Sequence, residues 1–303
     1  MPPKSDWDTA VKPHVKPSGG KQAGFQSIQG VQKRGAKSYV DMRERQVLRQ
    51  VSTRLFFGAQ RRAKEKGKDK PVEVQMMYAK GNVFIGTNLD VTAESVSKIL
   101  ASRKMTRSTL VDDKFFKSAK SHGGRITARH GKKLGSRMFD DDKQKKWNKG
   151  PVVDLASRKR ATNILNLVRD IEPEFLDPSD KKSVQTAFSG PGSVYILHSG
   201  GKQNGRHVEE KFMDILGHAN HTDKTYVGGK MRPCLTCSGR MTHTESQGHD
   251  VDFSQNPGKI WKQRYDNQPA DVRAETAKLA KNKRTFISKG GSGYGSESDS
   301  DGE

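Results

Sequence analysis

Two short segments, His207-Val-Glu209 and Pro233-Cys-Leu-Thr-Cys237, place the tightest constraint on how this chain can fold. Between them they offer one imidazole, two thiols and a carboxylate left over. Zinc favours imidazole and thiolate, and a catalytic zinc keeps three protein ligands with one open position for water. A fold that uses both segments must bring them together across the 23 residues that separate Glu209 from Pro233.

Local geometry narrows this further. Each segment follows a short β-prone run, Ser193–His198 for the first and Thr225–Gly228 for the second, so both are expected to open helices. Cys234 and Cys237 stand at i, i+3 and share one helix face, which lets both sulfurs reach one ion. His207 and Glu209 stand at i, i+2 and would diverge on a regular helix. His207 must therefore sit at the irregular entry to its helix, which Gly205-Arg206 permits. Proline favours the first helical turn, so Pro233 is expected to open the second helix. Unsatisfied N–H groups at helix N-termini favour negative charge and so favour thiolates.

The formal net charge of +22 in 303 residues points to a polyanionic partner. A membrane is not expected as partner. There is no apolar run of roughly 18 residues, and the start of the sequence lacks the apolar region of a signal peptide. Both cysteines lie in Pro233–Cys237, which excludes a disulfide framework and suits a reducing, cytoplasmic working compartment. With 31% hydrophobic residues, a core of roughly 150–200 residues is expected, the rest being loop and tail.

Residues 1–38 read as a disordered basic arm and residues 290–303 as a disordered acidic tail, leaving 39–289 as one domain. Within it, Val40, Val47, Val51, Leu55 and Ala59 recur at helical spacing over Tyr39 to Lys64. Val72–Tyr78 and Val83–Leu89 flank Ala79-Lys80-Gly81-Asn82 and form a predicted hairpin. Residues 92–185 read as a basic, largely helical insertion, with helices over Ala93–Lys104 and Ala156–Ile171. Residues 101–160 hold 18 Lys or Arg against 6 Asp or Glu. These cations, with Trp147, are a candidate groove for phosphates and a stacked base. Residues 186–289 carry the metal-type ligands, with the helix at His207–Leu216, candidate strands at Val251–Phe253 and Thr285–Ser288, and a helix over Ala270–Asn282.

The pattern H-x-E…P-C-x-x-C is a signature of zinc nucleobase deaminases. On His207, Glu209, Pro233, Cys234 and Cys237 the chain resembles the cytidine deaminase-like superfamily, most closely its bacterial toxin-type nucleic-acid branch. The resemblance implies an α/β fold, a three-layer α/β/α sandwich with a mixed central sheet that begins helix, strand, strand. It implies a zinc-dependent enzyme with His207, Cys234 and Cys237 as ligands and Glu209 as proton shuttle. Pro233 would shape the turn, backbone groups around Val208 would face the base, and Asn88 would bond the sugar of the target nucleotide. Cytosine in DNA, single-stranded or flipped, is the first choice of substrate; cytosine or tRNA adenosine in RNA is the second. A toxin would imply an immunity-protein partner and delivery into a target cell, although residues 1–90 do not read as a secretion module. In this family the helix bearing the histidine follows the second strand closely, whereas here more than a hundred residues separate Leu89 from His207.

Other readings compete. A structural zinc could take a fourth ligand from His243 or His249 in a non-catalytic nucleic-acid-binding protein, and the C-x-x-C alone could be a redox pair. His218-Ala-Asn-His221 has the residue types of a metal nuclease loop. A strand-ending Asn88 is also common in turns. Trp261, Tyr265 and Phe253 are the aromatics expected nearest the site, with core packing the leading expectation for each.

Overall fold

The computed structural model describes residues 6–17, 25–28, 42–65, 73–102, 155–203, 206–230, 233–253 and 259–285. The helix expected near the start of the domain is α1, Met42–Glu65. Its residues Val47, Val51, Leu55 and Ala59 are buried at the expected spacing. The hairpin follows as β3 (Val74–Ala79) and β4 (Asn82–Thr87), paired antiparallel from Val74–Thr87 to Ala79–Asn82. Its two-residue turn is Lys80-Gly81, with φ of 52° and 77°. Positive φ at both turn positions matches the right-handed twist of the flanking strands. All residues of β3 and β4 are buried, as in a strand pair covered on both faces.

After α2 (Asp90–Ala101) come α3 (Leu155–Asp170), β5 (Glu174–Leu176), α4 (Lys181–Ala187) and β6 (Val194–Leu197). Then α5 (Val208–Ala219), β7 (Thr225–Gly229), α6 (Leu235–Ser246) and β8 (Val251–Asp252) complete a six-stranded mixed sheet of order β5-β6-β4-β3-β7-β8. Only β3 runs against its neighbours. One core lies between the sheet and α1, α2 and α3, through Leu55, Met76, Ile85, Val96 and Ile164. The second lies between the other face and α4, α5 and α6, through Met77, Phe84, Val184, Phe212 and Met241. The mixed α/β class with helices on both faces is thus as expected.

Three expectations change. Residues 155–185 belong to the sheet and its layers: β5 and β6 add in parallel to the outer edge of β4, and Ala161, Ile164, Leu165 and Val168 of α3 are core residues. The buried carboxylate of Glu44 ties α3 to α1 by accepting from Ser157 at 2.6 Å and Arg160 at 2.7 Å. An insertion can therefore span at most 103–154, which lies outside the described residues together with Trp147 and most of the basic cluster.

Residues 7–17, within the segment read as a disordered arm, form helical turns at Trp7–Val11 and Lys12–His14 and the strand β1 (Val15–Pro17). β1 pairs with β2 (Phe25–Ile28), which pairs with β9 (Lys259–Trp261). Trp7, Val11 and Val15 are buried in a third cluster with Leu235, Ile260, Tyr265 and Ala280, and long-range apolar burial of this kind overrides a polar local composition. Thr285 ends a helix, since α8 runs Ala270–Thr285 after α7 (Lys262–Asp266). The remainder of the strand expected at Thr285–Ser288 and the tail 290–303 lie outside the described residues. No helix among the described residues is long and apolar enough to cross a membrane.

Candidate metal centre

β6 and β7 each deliver the chain to a helix N-terminus on the same face of the sheet. His207 is the N-cap of α5, with extended φ and ψ of −70° and 148°. This is the irregular entry that the i, i+2 spacing demands. Cys234 is the N-cap of α6, and its sulfur accepts the backbone N–H of Cys237 at 3.2 Å. Pro233 thus precedes the N-cap instead of opening the helix. A sulfur capping the first turn fills the role usually taken by a hydroxyl or carboxylate oxygen.

The helices bring His207 Nδ1 to 3.2 Å from Cys237 Sγ and 3.6 Å from Cys234 Sγ. The three ligand atoms lie within 4.8 Å of one another and form the only such group among the described residues. Burial pushes the Cys234 thiol up, but hydrogen bonds from Cys237 and then His207 outweigh it and hold the pKa well below the thiol range. Against the opposing effect of burial, the same contact carries His207 up to about 9. Cys237 is raised, by burial and then by its bond with Cys234. One nitrogen and two sulfurs, one of them predisposed to ionise, suit a borderline-soft divalent ion.

Glu209, in the first turn of α5, is 1% exposed. Its Oε1 accepts from Gln75 Nε2 at 2.6 Å, while its buried Oε2 has no hydrogen-bond partner. Burial, aided by the carboxylate of Glu73, raises its pKa to about 8, and the charges of His207 and Cys234 act on it as well. Gln75 Nε2 also donates to Glu73 Oε1 at 2.5 Å. The result is a carboxyl held by one oxygen, its other oxygen buried without a hydrogen-bond partner, and electrostatically linked to His207 and Cys234.

The closeness of α5 to the sheet rests on Gly86 of β4, where a Cβ would come 2.1 Å from Val208 Cγ1. Val208 is the first residue of α5 and is fully buried. Lys211, one turn after His207, is also fully buried. Its ammonium donates to Thr87 O at 2.9 Å, Ser199 Oγ at 3.0 Å and His198 O at 3.3 Å. Burial, then the charge of Arg206, lowers its pKa to about 8. Lys211 thus fastens the ends of β4 and β6 to the site helix. Asn88 follows Thr87 directly, and its Oδ1 is buried with no hydrogen-bond partner.

Trp261 meets His207 edge-on, with ring centroids 5.7 Å apart. Tyr265 and Phe253 belong to the third and second cores, so only one of the three candidate aromatics touches a ligand. Neither His243 nor His249 joins the ligand group, and the His249 ring bonds to His221 O. The run His218–His221 is a helix end, in which Asn220 is the left-handed C-cap of α5. Gln75, Glu73 and Lys211 lie outside the motifs that mark the ligands. Their signals are visible in retrospect: polar residues at i, i+2 entering an apolar strand, and a lysine at i+3 from Val208 on the buried stripe of α5.

No family model matches the chain, and neither a curated protein nor a solved structure shows significant similarity to it.

Proposed function

We propose that the chain is a zinc-dependent nucleobase deaminase acting on nucleic acid, with cytosine in DNA as first substrate and RNA as second. The observation that carries this reading is the pairing of a three-ligand cluster with one buried, half-satisfied carboxyl. A structural zinc needs four protein ligands, and the described residues supply three. Glu209 is what remains, and its free Oε2 has no structural task.

Zinc held by His207, Cys234 and Cys237 would supply Lewis-acid activation of water. Glu209 would take a proton from the attacking water through Oε2, with Oε1 held by Gln75. As the resulting hydroxide adds at C4 of the base, Glu209 would pass that proton to the ring nitrogen. The proton of the new C4 hydroxyl would then go by Glu209 to the amino group, so that the C–N bond breaks, ammonia leaves and C4 keeps a carbonyl oxygen. A buried carboxyl with one oxygen anchored and the other unpartnered can both take and return a proton. Asn88 would place the sugar through its unpartnered Oδ1, amide groups near Val208 would meet the base, and Pro233 sets the turn before Cys234. The charge of +22 favours a polymer over a free nucleoside, and a duplex would have to release its base to the site.

Glu209→Ala tests the assignment. The variant should keep one zinc per chain and lose deamination of cytosine-containing oligonucleotides. If the wild-type protein converts no base in any single- or double-stranded DNA or RNA, the enzyme reading fails.

A further inference from the structure

The solvent face of α1 carries a feature that the metal centre does not use. Arg54, Phe57, Arg61 and Lys64 are all exposed and recur at i, i+3, i+7 and i+10, so they form one ridge about 15 Å long opposite the buried stripe of the helix. None of the three cations has a carboxylate partner among the described residues. Phe57 is 46% exposed, one of three large apolar side chains left so among the described residues. Lys230 stands over the Phe56 and Phe57 rings, with Nζ 4.1 and 5.1 Å from their centroids. An unpaired basic ridge with one exposed ring complements a polyanion that also carries flat apolar groups.

Lys230 ties this ridge to the metal-ligand segment of the chain. Lys230 follows β7 directly and precedes the ligand Cys234 by four residues, a reach of at most about 14 Å. In the sheet, Gly229 pairs with Gln75, the residue that holds Glu209. The Lys230–Phe57 contact therefore flanks the end of the sheet at which the ligands converge.

We propose that Arg54, Phe57, Arg61, Lys64 and Lys230 form a docking surface for single-stranded nucleic acid, where the cations take phosphates and Phe57 stacks on a base flanking the target. The surface deepens the deaminase reading, on which the identity of the flanked base rests, but its binding can be measured without any chemistry. Acidic polypeptide is the rival occupant. It would use the cations and leave the ring idle.

The test is fluorescence anisotropy of full-length protein with labelled oligothymidylate, an abasic strand of equal length and polyglutamate. The variants are Arg54→Gln/Arg61→Gln/Lys64→Gln and Phe57→Ala, with Lys181→Gln/Lys182→Gln/Lys278→Gln as charge-matched control. The first triple variant should weaken oligothymidylate about tenfold or more and flatten the log–log salt dependence by about 2, from roughly 0.7 per lost contact. The control should do neither. Phe57→Ala should weaken oligothymidylate about fivefold or more and leave the abasic strand unchanged. Phe57→Leu, which keeps apolar bulk without the ring, should repeat that loss, which separates stacking from folding. Unchanged oligothymidylate binding in the triple variant, equal loss in the control, or equal losses on the abasic strand in Phe57→Ala would overturn the proposal. So would polyglutamate binding as tightly as oligothymidylate. A wild type that binds as described but deaminates nothing would sink the deaminase reading and leave the surface standing.

Discussion

Gln75 Nε2 lies 2.6 Å from Glu209 Oε1, joining the first residues of β3 to the first turn of α5. The two are 134 positions apart in sequence, and the bond determines which carboxyl oxygen is left free. Gln75→Leu should leave zinc content unchanged and lower kcat for a cytosine oligonucleotide about 10–100-fold, the usual cost of losing a partner that orients a site group. Gln75→Asn, a shorter amide, should recover little of this. Metal analysis with steady-state kinetics decides, and loss of zinc in Gln75→Leu would show that the bond builds the site instead of aiming the acid.

The ligand cluster predicts a division among variants. Cys234→Ala, Cys237→Ala and His207→Ala should each lose stoichiometric zinc, whereas Glu209→Gln should retain it. Chelation should lower the Tm of the wild type, because an ion bound only by the native state stabilises it by mass action. The same chelator should leave the Tm of Cys237→Ala unmoved.

Lys211 gives a pH signature. Its pKa falls from 10.5 to about 8 in the folded chain, so between these values the unfolded state binds more protons and stability rises with pH. The contribution is on the order of 3 kcal/mol across that window. It is absent above it and fully adverse below about pH 8. The difference in unfolding free energy between wild type and Lys211→Met, followed by denaturant titration, should therefore shift in favour of the wild type from pH 8 to 10. A difference independent of pH would refute the burial effect.

Gly86→Ala should push α5 away from β4, since its Cβ would come 2.1 Å from Val208 Cγ1. Overpacking of this kind costs roughly 1–3 kcal/mol, and the displaced turn carries His207. Weaker zinc binding should accompany the loss of stability. Val208→Ala should relieve both in the double variant, giving a coupling that a double-mutant cycle measures.

The parts of the fold legible from the sequence are those with local causes. The apolar stripe of α1, the hairpin around Lys80-Gly81 and the entry conformation of His207 follow from periodicity, turn chemistry and ligand spacing. The place of 155–185 in the sheet is hidden in the sequence because β5 has three residues, of which only Leu176 is buried; so short a strand shows no alternation. Trp7 sits in a polar stretch, and its partner Tyr265, 5.7 Å away between ring centroids, lies far along the chain. The helix α8 reaches Thr285 because no Gly or Pro interrupts it after Pro269. At the site, the ligands were legible because their spacing is chemical. The partners Gln75 and Lys211 were not, because tertiary approach alone defines them.

The helix that holds both cysteines is backed on one side by Trp7, Val11 and Val15 through Leu235. Along its length it is backed by α8, where Gly239 abuts Thr276. The N-terminal residues and the last described helix thus pack against the same helix. All three ligands have left the ribosome well before α8, yet the surface that steadies α6 is finished only when residues 270–285 emerge. A chain stopped short of α8 would therefore carry all three candidate ligands without the helix that packs against α6.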